Sequence, residues 1–425
     1  MIRALPSLIN ENMIIKVIET IHQGVSRTRR TIGLRTCLTV LLQPHVQRLD
    51  LSGLFFKMRL PGAINTAIRD VVSHKVYLTT NLSIFNMESK CSDEILKVLG
   101  KNCPNIVEVT VTISDLVTNE GLKALSLGCL KLEKLGIYKC WEVTDEGIYS
   151  VLKNSKKLKE MQCDQLGNVL LSKFRKTDTF FNLTRFEQTQ SIFEPRIEDV
   201  SWIAKFCPDL KSVRIYVDDD NLILVSQMGK LEVLELESSS ILGLGFENII
   251  SQLGANLQTL QISCDEVSQN NLMSMGRQCP QLTTLHITTA TIEGDNRLIN
   301  TGNLFPSLTT LHMQVWKESS ISTECVDFFL LWCTKLESLF WKADIAILTD
   351  EYLKRLLNIN PLVHAKRLVF ASDKDVPLTI DSVHLLIETC PYLEAIGMLS
   401  WTFSEEEFFE LRQYVKTNNY NLTLS

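Results

Sequence analysis

The sequence predicts an α/β solenoid, a stack of short coils that each contribute one strand and one helix. Three observations lead there. A core of the form Leu-x-x-Leu-x-Leu recurs along most of the chain, the recurrences are nearly evenly spaced, and each core is followed by apolar residues at the 3.6-residue period of a helix. The clearest cores are LEKLGI from Leu132, LEVLEL from Leu231, LQTLQI from Leu257, LTTLHI from Leu282, LTTLHM from Leu308 and LESLFW from Leu336. Looser copies begin at Val46, Ile106, Leu158, Leu183, Leu210, Ala365 and Leu393, and the gap after Val46 leaves room for one more around TTNLSIF at 79–85. From Ile106 onward the steps are 25–29 residues, except for one of 21 between Leu210 and Leu231.

Each six-residue core reads as a strand, and the following stretch, such as GIYSVLKNS (147–155) or YLKRLLNIN (352–360), as a helix returning along the outside. One coil cannot cover its own apolar side, so neighbours must stack. A cysteine stands three residues before the first core position at Cys103, Cys129, Cys207, Cys279, Cys333 and Cys390, with proline next at 104, 208, 280 and 391. Proline stops the preceding helix because it has no N–H to donate and crowds the residue before it. A small thiol suits a tight buried turn. After the strand, VTDEG (143–147) reads as a helix start, with Thr or Asp as cap and acidic residues at the positive helix end. VTNEG at 117–121, SDE at 92–94 and LTDEY at 348–352 echo it.

The combination of C-P-x-L, L-x-x-L-x-L and V-T-D-E-G resembles the cysteine-containing leucine-rich repeats of F-box/LRR proteins and of antagonist-of-mitotic-exit proteins. The resemblance covers roughly residues 45–400. It implies a leucine-rich-repeat horseshoe of about fourteen repeats, with a concave parallel sheet and convex helices. It also implies a protein-binding scaffold that serves as substrate-recognition subunit of a cullin-RING, SCF-like ubiquitin ligase. A protein partner would lie on the concave face. A Skp-type or elongin-type adaptor, with its cullin, would be held by the N-terminal segment. A free-standing interaction or inhibitor protein is the alternative reading, followed by a GTPase regulator.

Three segments divide the chain: 1–45, the solenoid at 46–400, and 401–425. In LPSLINENMIIKVIETI the apolar positions Leu8, Ile9, Met13, Val17, Ile18 and Ile21 form an amphipathic helix, and LRTCLTVLL (34–42) forms a second. Two readings stand for 1–45: a helical cap on the stack, or a degenerate adaptor-binding segment with Leu5, Pro6, Leu8, Met13 and Val17 as contacts. Leu5-Pro6 matches the usual opening of an F-box, but the segment lacks the tryptophan of that motif. A VHL-type box would want a cysteine where Asn12 stands. Arg27, Arg29, Arg30 and Arg35 are expected in a solvated loop between the two helices. At the other end Ser404 and Glu407 form a capping-box pair that opens a closing helix, and NLTLS adds a last strand.

Composition narrows the function. A chain of 425 residues with 45% hydrophobic and 22% charged residues folds, and its net charge of −6 argues against nucleic acid as the main partner. Polar residues from Asn10 to Glu19 interrupt any signal-peptide core, and no window of eighteen apolar residues offers a membrane span. The twelve cysteines are therefore expected to stay reduced, in cytoplasm or nucleus. No dinucleotide, zinc-protease or hydrolase signature occurs, so neither enzyme nor cofactor is expected. Gly243 and Gly245 read as a repeat turn. Asp218, Asp219 and Asp220 read as a solvated turn and helix cap.

Strand alternation puts positions three, five and seven of each core on the concave face. Position three gives Glu108, Lys134, Glu160 and Arg185, and position five gives Glu187, Arg214 and Glu235, both alternating in sign. Partner-binding candidates are Tyr138, Trp141, Arg185, Arg214, Tyr216, His286, His312, Phe340 and Arg367, because aromatics and arginine dominate binding energy. His286 and His312 should stand side by side. With Gln261 and Phe340 flanking them, they complete no metal set. Phe340, Val369, Ala371, Ala395, Gly397 and Leu399 make an apolar stretch that either binds a partner or lies beneath residues 401–425.

Overall fold

The computed structural model describes residues 27–51, 62–188, 197–216, 218–238, 241–293, 304–316, 323–343, 348–372, 377–397, 403–418 and 420–424, besides positions 16 and 20. The chain forms two compact units, Met1–Leu210 and Lys211–Ser425.

In the first unit, helix α1 (Arg27–Leu41) precedes strands β1 (Arg48–Asp50), β2 (Ile84–Glu88), β3 (Glu108–Thr112), β4 (Lys134–Tyr138), β5 (Glu160–Gln162) and β6 (Arg185–Glu187). Each strand pairs in parallel with the next. Helices α2 (Gly62–Lys75), α3 (Asp93–Asn102), α4 (Asn119–Gly128), α5 (Asp145–Asn154), the short α6 (Leu166–Val169) and α7 (Ile197–Phe206) alternate with them. The second unit continues the pattern with β7 (Ser212–Tyr216), β8 (Val233–Glu237), β9 (Thr259–Ser268), β10 (Thr284–Glu293) and β11 (Thr310–Val315). It closes with β12 (Ser338–Lys342), β13 (Arg367–Ala371), β14 (Ala395–Gly397) and β15 (Thr423–Leu424). These nine strands also pair in parallel and in chain order. Its helices are α8 (Leu244–Leu253), α9 (Gln269–Gln278), α10 (Thr323–Leu330), α11 (Asp350–Ile359), α12 (Ile380–Thr389) and α13 (Glu405–Thr417). This is the leucine-rich-repeat arrangement.

The buried side chains are those of the repeat. Leu132, Leu135 and Ile137, or Leu282, Leu285 and Ile287, are at most 4% exposed, so positions one, four and six build the core. Each such side chain contributes about 1.5–3 kcal/mol on burial. The copy expected around 79–85 is present, with Leu82, Phe85 and Met87 buried. The six cysteines before the core positions close the helices, and each accepts a backbone bond from the first core residue, as Ile106 N–H to Cys103 O at 3.3 Å. The Cys103 thiol donates to Thr79 O at 3.3 Å, so the sulfur ties one turn to the turn before it. Eleven of the twelve cysteines are buried and all are free. Burial pushes the thiols up, Cys103 to about 11 and Cys279 to about 12, which leaves them unionised and inert at neutral pH.

In each unit a polar spine runs along the helix starts. Asp93 accepts from Thr118 N–H at 2.8 Å and Thr118 Oγ1 at 2.6 Å, Asn119 from Thr144 N–H at 2.9 Å, and Asp350 from Thr379 N–H at 2.9 Å. The first residue of one helix thus caps the start of the next. The glycine ending VTNEG and VTDEG makes room for it: a Cβ on Gly121 would meet Asp93 Oδ1 at 2.3 Å, and one on Gly147 would meet Asn119 Oδ1 at 2.6 Å.

One expectation needs correction and a second is sharpened. Arg27, Arg29, Arg30 and Arg35 lie on helix α1, not in a loop, because the helix of 34–42 extends back to Arg27. Asp219 is a helix cap, as expected of this run, and it caps the helix start of the next repeat. It accepts from the N–H groups of Gly243 at 2.8 Å, Gly245 at 3.0 Å and Phe246 at 3.0 Å, as part of the second unit's spine. A Cβ at Gly245 would meet Asp219 O at 1.9 Å, so the G-x-G pair is a repeat turn. The 21-residue step is accommodated by a 3₁₀ helix, Asp219–Gln227, where the repeats on either side carry α7 and α8. It rises about 2.0 Å per residue against 1.5 Å, so fewer residues span the coil.

Candidate functional site

With positions one, four and six committed to the core, positions three, five and seven form a face turned away from the helices. Its chemistry differs between the units. In the first unit, cross-strand register aligns Ile84, Glu108, Lys134, Glu160 and Arg185 in one row. Lys134 Nζ lies 3.5 Å from Glu108 and 3.9 Å from Glu160, Arg185 lies 4.0 Å from Glu187, and Arg48 lies 2.7 Å from Asp50. These charges neutralise one another. Lys134, Gly136, Glu160, Gln162, Arg185 and Glu187 help line a groove of about 340 Å³. Tyr138 is half-buried under Lys139, whose Nζ sits 5.0 Å from its ring centre, and Trp141 is 54% exposed just past the strand.

In the second unit, position five runs Arg214, Glu235, Gln261, His286, His312, Phe340, Val369 and Gly397 across eight strands. Position three runs Thr259, Thr284, Thr310, Ser338, Arg367, Ala395 and Thr423. The first charges of this face are paired: Arg214 Nε is 2.9 Å from Glu237 and 3.9 Å from Glu235. Tyr216 stands opposite Glu237. From β10 onward the face changes character. The His286 and His312 rings lie 5.2 Å apart, and His312 stacks on Phe340 at 4.3 Å with 14° between planes.

His286, Thr310, His312, Ser338, Phe340, Arg367, Val369, Ala395 and Thr423 line a groove of about 440 Å³. Burial lowers the pKa of both histidines. His286 lowers that of His312 further, and a bond that His312 donates to Gln314 partly offsets the effect. Both rings are therefore neutral at pH 7. Arg367 is exposed, and its guanidinium has no carboxylate partner among the described residues.

The nine partner-binding candidates thus separate. His286, His312, Phe340 and Arg367 share one groove. Arg214 and Tyr216 sit on β7 beside the paired glutamates, whereas Tyr138, Trp141 and Arg185 belong to the first unit. The adaptor-contact candidates Leu5, Pro6, Leu8, Met13 and Val17 lie outside the described residues, as does Leu399. The hydroxyls of Thr310, Ser338 and Thr423 were not singled out by the sequence, although the position-three register identifies them. Helix α13 packs on α12 and β15 pairs with β14, so residues 405–417 and 423–424 continue the coil pattern. The groove keeps half-exposed Phe340, Val369 and Ala395 at its surface.

Among the described residues no three His, Cys, Asp or Glu side chains converge as for a metal, and no helix is long and apolar enough to cross a membrane. No family model matches the chain. Among solved structures it is similar to the yeast Rad7 and Elc1 complex, at 14% identity and a TM-score of 0.49, covering 98% of this chain and 92% of that one. It is also similar to internalin C2 of Listeria monocytogenes, at 12% identity and a TM-score of 0.26, covering 72% of this chain and 96% of that one.

Proposed function

We propose that this chain is a protein-binding scaffold whose partner docks on the second unit's helix-free sheet face, and that it serves as the substrate-recognition subunit of a cullin-RING ubiquitin ligase in cytoplasm or nucleus. One observation carries the docking surface. From β10 to β14 the face offers stacked aromatic rings, hydroxyls and an unpaired arginine, where elsewhere its charges are spent on one another. Desolvated aromatics and arginine dominate binding energy, and self-neutralised surface charges contribute little. The cysteine-type repeat supports the ligase setting, with Leu5, Pro6, Leu8, Met13 and Val17 contacting a Skp-type or elongin-type adaptor. The missing tryptophan in 1–45 favours the second reading, a free-standing interaction protein.

Affinity purification with mass spectrometry separates these readings. The tagged full chain is compared with a Leu8→Glu, Met13→Glu, Val17→Glu variant and with Phe340→Glu. The native chain is expected to bring down an adaptor, a cullin and a further protein. The triple variant should lose the first two, and Phe340→Glu only the last. An adaptor missing from the native sample contradicts the ligase setting. A partner set indifferent to Phe340→Glu contradicts the docking surface.

A further inference from the structure

The groove between His286 and Thr423 specifies more than an apolar anchor site. We infer that it recognises an extended acidic segment of a partner protein, in which an aromatic or long aliphatic side chain lies within about two residues of an aspartate or glutamate. This inference rests on the protein-binding reading above and gives it a chemistry.

The argument begins with register. Phe340 stands opposite Val369, and Arg367 lies two residues before Val369 on the same strand, so the guanidinium is anchored one strand over and one side-chain repeat along from the ring. The His312–Phe340 stack forms one apolar wall. Val369 and Ala395 form the other, and the missing side chain at Gly397 makes room for Val369: a Cβ there would meet Val369 Cγ1 at 2.7 Å. An inserted ring or branched chain therefore meets carbon on both sides. The polar groups around it are the hydroxyls of Thr310, Ser338 and Thr423 and the Arg367 guanidinium.

Charge decides which segment fits. The histidines are held neutral by burial, and among the described residues Arg367 is the one cation lining the groove. Among the described residues no carboxylate lines the groove. Lys366, the neighbour of Arg367 in sequence, is already bound to Glu337 at 2.7 Å. A guanidinium presented in a fixed fork binds a carboxylate with two parallel bonds, so a partner carboxylate supplies the charge missing from the described lining.

The length of the groove selects an internal segment over a chain end. It runs from β10 to β15, about 24 Å at the usual strand spacing, enough for about seven extended residues. Arg367 lies toward its middle, with Ser338 opposite it on one neighbouring strand, Ala395 on the other, and Thr423 one strand beyond Ala395.

The test is an array of synthetic heptapeptides probed with the full chain. Each carries Phe, Leu or Ala at the centre and Asp, Glu, Asn or Gln one to three residues away, with amidated ends; a second set has free C-termini and no internal acid. Binding is then measured in solution for the best sequences. The expected result is preference for Phe or Leu with Asp or Glu, a loss of roughly tenfold or more when the acid is replaced by its amide, and the same loss for Arg367→Gln. Arg367→Glu, on an exposed side chain, should turn the preference toward lysine-containing peptides. Three results would overturn the inference: equal binding of acid and amide peptides, Arg367→Gln binding unchanged, or selection of only the free C-terminal set. If Phe340→Glu abolishes capture of the partner while acid and amide peptides bind alike, the carboxylate chemistry fails and the docking surface stands.

Discussion

The two units share one coil and differ in what their strands show on the face away from the helices. In the first unit that face is a ladder of opposite charges, Glu108–Lys134–Glu160 and Arg185–Glu187. In the second it becomes a row of imidazole, phenyl and isopropyl groups at His286, His312, Phe340 and Val369. The repeat cannot cause this difference, since both faces occupy the same positions of the same motif. What differs is how far each face satisfies itself. Exposed ion pairs between neighbouring strands contribute about 0.2–1 kcal/mol and leave little for a partner to gain. A half-exposed aromatic stack beside an unpaired arginine leaves its interaction energy unspent.

The largest effect that would break this comparison is on binding. Phe340→Glu is expected to weaken the captured partner by about 30-fold or more, the size of a hot-spot loss of about 2 kcal/mol. Lys134→Glu should change it by no more than about twofold. Surface plasmon resonance with the recovered partner checks both, and equal losses would erase the distinction between the faces.

A smaller effect asks whether the shared scaffold, unlike the faces, is equally stiff in both units. Asp219→Ala strips three N–H groups at the start of α8 of their acceptor, and Asp93→Ala strips Thr118 of its own. Each should cost about 1–2 kcal/mol, read as faster amide exchange in the helix that follows.

The histidine row gives a third, pH-dependent contrast. Burial holds both imidazoles below their ordinary value, so as pH falls from about 6.5 the unfolded chain takes up protons before the folded one. The second unit is therefore expected to lose stability as pH falls through that window. His286→Ala should raise the NMR titration midpoint of His312 by removing a like charge. An unchanged or lower midpoint would contradict this account of the pair.

The smallest effect belongs to the first unit. Lys134→Gln removes the cation between two glutamates. It should cost about 0.2–1 kcal/mol in urea unfolding at low salt, and much less at high salt.

Much of this was legible in the chain. The strands at Leu132, Leu231 and Leu282 follow from apolar periodicity, because burial of positions one, four and six leaves no other register. The face rows follow from alternation, which is why His286 and His312 could be paired from sequence. The joining of Asp219 to Gly243, Gly245 and Phe246 was not legible: that contact crosses from one repeat to the next, and the aspartate run alone reads as a turn and cap without showing which helix it caps. Nor was the helical backbone of Arg27–Arg30 visible, since a cluster of arginines has no apolar period to mark it. The unpaired state of Arg367 was equally hidden. Sequence shows that Arg367 follows Ser338 in the position-three row, but not that every other arginine on these faces is already occupied.

The docking claim is tested most directly by placing the photo-crosslinking residue benzoylphenylalanine at Phe340 in the full chain, and separately at Lys134, and irradiating cells that express each. Partner adducts from position 340 and none from position 134 are the expected result. Adducts confined to position 134, or equal at both, would contradict it.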